Sequence, residues 1–310
     1  MPASASHGQH PLRGIALAVA AMACFATLDT TTKWVAAGMH VMMALALRYA
    51  VQALITTAVV LPGRGWQVWR TQHLGLHVLR GLLLLSVSVL AFISLRHLPM
   101  GDFTAIVLLT PVVVTLVAAR MLGDSVSWQR KLLVVVGFGG TLLILRPGAD
   151  DFQWLMLLPF LLVLINAAFQ LLTSRMTRTE SPMTMQLYTA WSGAIIPALM
   201  LPWIWEPVAN PALWGGIVAT ALLASVGHYL FTLAFKHAPV ATVMPFNYTQ
   251  IGFAVLGGWL AFDQMPDTLS WLGMALIAAC GATSAWLTQR EQQAKRYHSV
   301  LDEQSSVLPS

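Results

Sequence analysis

The chain has 310 residues, of which 57% are hydrophobic and only 9% charged, with a mean hydropathy of +0.70. Soluble domains carry about 25% charged residues, so the composition indicates a membrane protein and excludes a pair of soluble domains. The net charge of +5 is no argument for a nucleic-acid partner, because the positive residues flank apolar runs.

The opening stretch, MPASASHGQHPLRG, lacks the basic region and cleavage site of a signal peptide and reads as a short cytoplasmic tail. Apolar runs then follow at roughly 13–34, 41–62, 76–96, 101–121, 129–146, 153–174, 184–204, 213–235, 240–262 and 269–288. At about 1.5 Å per residue these suit a hydrocarbon core about 30 Å thick. An all-α polytopic membrane protein with ten transmembrane helices is therefore predicted. Trp34, Trp66, Trp128, Trp203, Trp205 and Trp271 fall near span ends, where interfacial aromatics belong. Cys24 and Cys280 sit inside apolar runs and make neither a disulfide framework nor a metal site. The polar stretch after Thr288 is expected to be a mobile cytoplasmic tail.

Lys and Arg set the orientation. With the amino terminus inside, thirteen of them lie on the inner side, while Lys33, Arg96 and Arg146 lie outside and Arg48 lies within a span. That bias predicts both termini in the cytoplasm.

The chain also repeats itself. Lys236-His237-Ala238-Pro239 enters the ninth span as Arg96-His97-Leu98-Pro99 enters the fourth, 140 residues earlier. Pro111 and Pro245 lie inside those two runs. The same offset aligns Leu47-Arg48-Tyr49-Ala50 with Leu187-Tyr188-Thr189-Ala190, and Leu61-Pro62 with Leu201-Pro202. One offset linking several places implies duplication. Residues 13–146 and 153–288 are then two five-span repeats between tails 1–12 and 289–310. Five is odd, so the second repeat is inverted, an architecture of secondary transporters that bind substrate near the midplane.

These features resemble the EamA-type drug/metabolite transporter superfamily over about residues 12–288. The resemblance rests on Arg96-His97-Leu98-Pro99, Gly123-Asp124 and Ile144-Leu145-Arg146-Pro147-Gly148. The run from Gly227-His228-Tyr229 to Pro245-Phe246-Asn247-Tyr248-Thr249-Gln250 is similar to a bacterial subgroup. That subgroup includes riboflavin transporters and lies near S-adenosylmethionine carriers and metallophore exporters. The resemblance implies a ten-helix basket with a central cavity that moves organic metabolites without an ATPase domain. Family members often end the fourth and ninth spans in Glu, where this chain has Asp124 and Asp263.

Polar residues at membrane depth are the candidate site, because lipid offers them no partner. Asn247, Tyr248 and Gln250 cluster beside Pro245, and Asn247 and Gln250 share a helix face. Asn166 and Gln170 are an i, i+4 pair, and His228 and Arg80 lie toward the inner side. Asp29, Lys33 and Arg48 fall in the outer third, where Asp29 and Arg48 can meet as an ion pair from antiparallel spans. Substrate binding is assigned to Asn247, Tyr248, Gln250, Asn166, Gln170, His228 and Arg48. Coupling or gating is assigned to Asp29, Lys33, Arg80, Pro111 and Pro245. Each has a structural alternative. These are ion pairing or snorkelling for the outer charges, interfacial anchoring for Arg80 and a carbonyl hydrogen bond for His228. For the ninth-span amides the alternative is helix–helix bonding, and for the prolines a static kink.

No HExxH, CxxC or comparable grouping points to an enzyme, and no cofactor is expected. Without a GxxxxGK[ST] loop, active transport must draw on a gradient. The reading is an inner-membrane secondary carrier for a small organic metabolite, with riboflavin or a related ring compound leading. Export of an amino-acid-derived metabolite or metallophore is the alternative; a channel or small-molecule sensor is the reading from another class. The expected partners are the metabolite, the lipid bilayer and protons as coupling ion, with a homodimer left open and no nucleic acid.

Overall fold

The computed structural model describes residues 11–121, 128–145, 154–208 and 210–307, and among these there is no strand. Gly123-Asp124 and Arg146-Pro147-Gly148 lie outside the described residues. The first three spans are α1 (Pro11–Gly38), α2 (Val41–Arg64) and α3 (Leu74–His97). The fourth is split into α4 (Met100–Val107) and α5 (Thr110–Met121), and the fifth is α6 (Trp128–Leu145). In the second half α7 (Leu158–Met176), α8 (Pro182–Ile204) and α9 (Ala212–His237) are continuous. The ninth span is split into α10 (Val240–Val243), a 3₁₀ turn over Met244–Tyr248 and α11 (Thr249–Phe262); α12 (Thr268–Val307) completes the chain.

Six helices, α1, α2, α3, α7, α8 and α9, are individually long and apolar enough to cross a membrane. The molecule is apolar on its outside as well as its inside: Leu54, Val135, Leu199 and Leu260 are 64–71% exposed. Water would not tolerate that much apolar surface, whereas lipid does.

The two breaks have a common cause. Pro111 has no N–H to give the carbonyl of Val107, four residues back. The Thr110 hydroxyl supplies the missing bond at 2.6 Å. In the ninth span Pro245 sits in the first turn of the 3₁₀ segment, where its missing N–H costs an intrahelical bond, and at the end of that segment Phe246 O accepts from both the N–H and, at 2.7 Å, the hydroxyl of Thr249. At membrane depth a freed carbonyl must find such a partner inside the protein. With the 140-residue offset, the Leu108–Leu109 break falls on Tyr248–Thr249. The two breaks therefore lie at adjoining registers, the fourth-span break mapping onto the junction of the 3₁₀ turn with α11.

Packing follows the same exchange. α1 lies along α9, and the repeat-related pair α7 lies along α3. α2 meets its counterpart α8 and α6 its counterpart α12, and the fourth span meets the ninth through α4 and α11. This is the pattern of a pseudo-two-fold axis relating two inverted five-helix repeats.

The α6–α12 seam is made by glycine. A Cβ on Gly273 would lie 2.6 Å from Gly140 O and 2.6 Å from Ile144, so the backbones touch there. Such small-residue crossings replace hydrophobic driving force in lipid. Gly273→Leu should therefore destabilise the protein by about 1–3 kcal/mol by overpacking. Gly139→Ala, with open space at its Cβ, should be neutral or slightly stabilising. Thermal unfolding in detergent reads both.

The polar stretch after Thr288 is a helix that continues α12 to Val307. Propagating an existing helix needs no new nucleus, and Gln, Glu, Ala, Lys and Arg at 289–296 are good helix formers.

Candidate functional site

A cavity of about 820 Å³, measured with its opening, lies between the two repeats. α1 contributes Met22, Phe25, Leu28, Asp29 and Thr32, a stripe at helical spacing, and the broken spans contribute Thr110, Pro111, Asn247 and Gln250.

One region of the wall is charged. Arg48 is 5% exposed and donates from Nη2 to Ser88 Oγ at 2.7 Å. Its guanidinium carbon lies 4.6 Å from the Tyr49 ring centre and 5.9 Å from that of Phe92. The Tyr49 hydroxyl meets the same Ser88 Oγ at 2.9 Å. Asp29 Oδ2 accepts from Gln250 Nε2 at 3.2 Å, joining α1 to α11. Asp29 and Arg48 do not form the ion pair that their depths allow. Arg48 is held by Ser88 on α3 and Asp29 by Gln250, so two opposite charges face one cavity separately.

A second region is rich in amides. Gln170 and Asn247 are 7% and 3% exposed, and neither Gln170 Oε1 nor Asn247 Oδ1 has a hydrogen-bond partner. Asn247 Nδ2 reaches only the thioether of Met244, at 3.9 Å. Asn166 Nδ2 is 3.5 Å from Thr110 Oγ1. His228 faces Phe25 at 4.8 Å between ring centres and Phe169 at 5.7 Å. Phe25 can come this close because Gly227, the residue before His228, faces it: a Cβ there would lie 2.8 Å from the ring.

Eight of the twelve sequence candidates, Asp29, Arg48, Pro111, Asn166, Gln170, His228, Asn247 and Gln250, line the cavity. Tyr248 does not. It lies one residue round from Asn247, and its ring packs against Gly281 of α12. Pro245 shapes the 3₁₀ turn without lining the wall. Lys33 is a staple: Nζ donates to Leu95 O at 2.9 Å and Leu98 O at 2.6 Å, capping the carboxyl end of α3. It also lies 5.8 Å from the Phe262 ring centre.

Arg80 is no interfacial anchor. It is 0% exposed. Nε donates to Thr173 Oγ1 at 2.9 Å, Nη1 to Met185 O at 3.1 Å and to Thr189 Oγ1, and Nη2 to Thr232 Oγ1 at 3.5 Å. Its guanidinium carbon stands 4.9 Å from the Phe169 ring centre. One side chain of α3 thus ties the first repeat to α7, α8 and α9 of the second. Beyond it, His77 stacks on Tyr188 at 4.7 Å and meets Glu180 at 3.5 Å.

Sequence reasoning missed Phe25, Thr32, Ser88, Phe92 and Thr110. Ser88 was detectable as a hydroxyl within an apolar run, and Thr110 as the neighbour of a mid-span proline. The phenylalanines carry no such signal, since apolar side chains fit lipid, core and cavity alike.

A family model described as the EamA-like transporter family matches residues 12–146 and 153–282. The chain is 28% identical over 272 residues to a riboflavin transporter of Brucella anthropi, covering 84% of this chain and 93% of that one. It is 27% identical over 217 residues to an S-adenosylmethionine uptake transporter of Rickettsia bellii, covering 69% and 73%. A solved crystal structure is similar with a TM-score of 0.63 at 19% identity, over 93% of this chain and 99% of its own, and shares the fold. With two matched repeats, paired breaks in the fourth and ninth spans and a cavity with polar groups between them, the chain is a multi-pass membrane protein that belongs to the EamA-like transporter family.

Proposed function

We propose that the protein is a secondary carrier that moves a small organic metabolite across the bacterial inner membrane by alternating access, with riboflavin or a related ring compound as substrate. The observation that carries this reading is the cavity itself. Buried amides with unused hydrogen-bonding capacity stand beside Phe25 and His228, between two spans broken at adjoining registers. Such a wall suits a flat heterocycle with several polar atoms. The similarity to a riboflavin transporter supports the substrate class.

In this reading both termini are cytoplasmic, and the repeats 13–146 and 153–288 rock against each other. Arg80 then lies toward the cytoplasmic end and acts as a latch between the halves. The Pro111 and Pro245 breaks are the flexing points, and Asp29 is the group to carry a coupling proton. A second reading has its own observation. Because Asp29 and Arg48 face the cavity without pairing, they also suit a zwitterion, such as an amino-acid-derived metabolite.

Purified protein in proteoliposomes should take up labelled riboflavin saturably. Asn247→Leu and Gln250→Leu should each raise KM about tenfold or more, one lost hydrogen bond in a dry site costing about 1–3 kcal/mol, while expression persists. Unchanged uptake in both variants would reduce the two amides to helix-packing groups. Saturable uptake of zwitterions with none of flavins would favour the second reading.

A further inference from the structure

The polar groups of the cavity fall into two sets. One is the charged set, Asp29 with Gln250 and Arg48 with Ser88. The other comprises Gln170, Asn247 and Asn166 and is marked by His228, whose ring lies against Phe25. Phe25 and Asp29 are four residues apart on α1, about 6 Å along its axis.

The sets differ in what they lack. In the charged set Asp29 and Arg48 each hold one protein hydrogen bond and keep capacity for more, since a carboxylate has about four acceptor sites and a guanidinium five donors. In the amide set the carbonyl oxygens of Gln170 and Asn247 are buried and unpartnered. A buried acceptor without a donor costs about 1–3 kcal/mol, so the site is incomplete until a ligand brings N–H groups to it. The Asn247 amide is oriented by its nitrogen, which reaches the Met244 thioether, an acceptor that the amide oxygen could not use.

Resting on the substrate reading above, we propose that the cavity orients its ligand along α1. The carbonyl oxygens of Gln170 and Asn247 share the single N–H of an imide edge of a flat heterocycle, whose two flanking carbonyls accept from the Gln170 and Asn166 amide nitrogens. Asp29 and Arg48, one helical turn away, hold a hydroxylated tail. For a flavin, the pyrimidine edge sits by His228 and the ribityl chain by Asp29, whose carboxylate accepts from hydroxyls as Arg48 donates to them.

The test is competition against labelled riboflavin uptake in proteoliposomes, using two analogues. N3-methylriboflavin has its imide N–H blocked, and lumiflavin has a methyl in place of the ribityl tail. The native protein should bind each about 10–100-fold more weakly than riboflavin, as expected when a site's polar groups are left unpaired. Gln170→Leu with Asn247→Leu should bind riboflavin and N3-methylriboflavin alike yet still discriminate against lumiflavin. Asp29→Asn should do the reverse. If the leucine variant fails to fold, Gln170→Glu and Asn247→Asp keep an acceptor and should keep the discrimination. Analogues that compete as well as riboflavin, or discrimination against N3-methylriboflavin that fails with Asp29→Asn rather than with the amides, would overturn the orientation alone. Absence of riboflavin uptake by the native protein would overturn the substrate reading and this assignment with it.

Discussion

Arg80→Met should leave the protein folded and lower flux at least tenfold (about 1.4 kcal/mol or more of lost state bias). Taking a guanidinium out of water costs several kcal/mol, and an apolar side chain of similar volume often does as well for stability. Arg80 is nevertheless fully buried, and its partners are three threonine hydroxyls, one carbonyl and a ring, with no carboxylate among them. The three hydroxyls already donate to carbonyls of their own helices, so losing Arg80 strands no donor. Folding therefore has little to lose from Met. Closure has more: each hydrogen bond from a charged donor is worth about 1.5–3 kcal/mol, and moving an equilibrium from 99:1 to 1:99 takes only about 5.5 kcal/mol. Thermal unfolding together with initial uptake separates the cases. Lost uptake at an unchanged midpoint fits a latch, whereas a collapsed midpoint would make Arg80 a structural residue. Arg80→Lys cannot reproduce the fork of contacts and should fall between the two.

Asp29→Asn and Arg48→Gln should each reduce uptake about 10–100-fold, from loss of one charged hydrogen bond to ligand, and their folding effects should add. Sequence depth alone suggests a mutual ion pair, in which a double variant would recover part of the folding loss. The structure gives them different partners, Ser88 for Arg48 and Gln250 for Asp29. Without a direct bond or a shared partner, any coupling between them is limited to charge attraction through the cavity, and well-separated sites are additive to within about 0.5 kcal/mol. A double variant more stable than the sum of the singles would instead mean that the charges attract each other across the cavity. Equal uptake by either single variant and the native protein would remove them from the transport path.

The ten spans, their duplication and the mid-span breaks were legible because each leaves a residue-level mark. Lipid demands long apolar runs, duplication leaves a constant offset, and proline removes a backbone donor. The cavity was legible only where a polar side chain sat too deep for lipid, as with Asp29, Asn166 and Asn247. Rotation about the helix axis was harder. Tyr248 is beside Asn247 in sequence but lies round the turn against Gly281. Arg80 and Lys33 were equally ambiguous, since a cation within a few residues of a span end can snorkel or turn inward. The decisive partners are far away in the chain: Thr173 and Thr189 for Arg80, Leu95 and Leu98 for Lys33. Spacing within one helix holds no record of them.

Counterflow in proteoliposomes tests alternating access most directly. Vesicles loaded with unlabelled riboflavin and diluted into a trace of labelled riboflavin should accumulate label transiently above its equilibrium level. Label enters on carriers that return from carrying unlabelled substrate outward, and a pore provides no such exchange. A transient overshoot that disappears in Asn247→Leu is the predicted result. Label that rises monotonically to equilibrium, at a rate unaffected by unlabelled riboflavin on the other side, would contradict the carrier account.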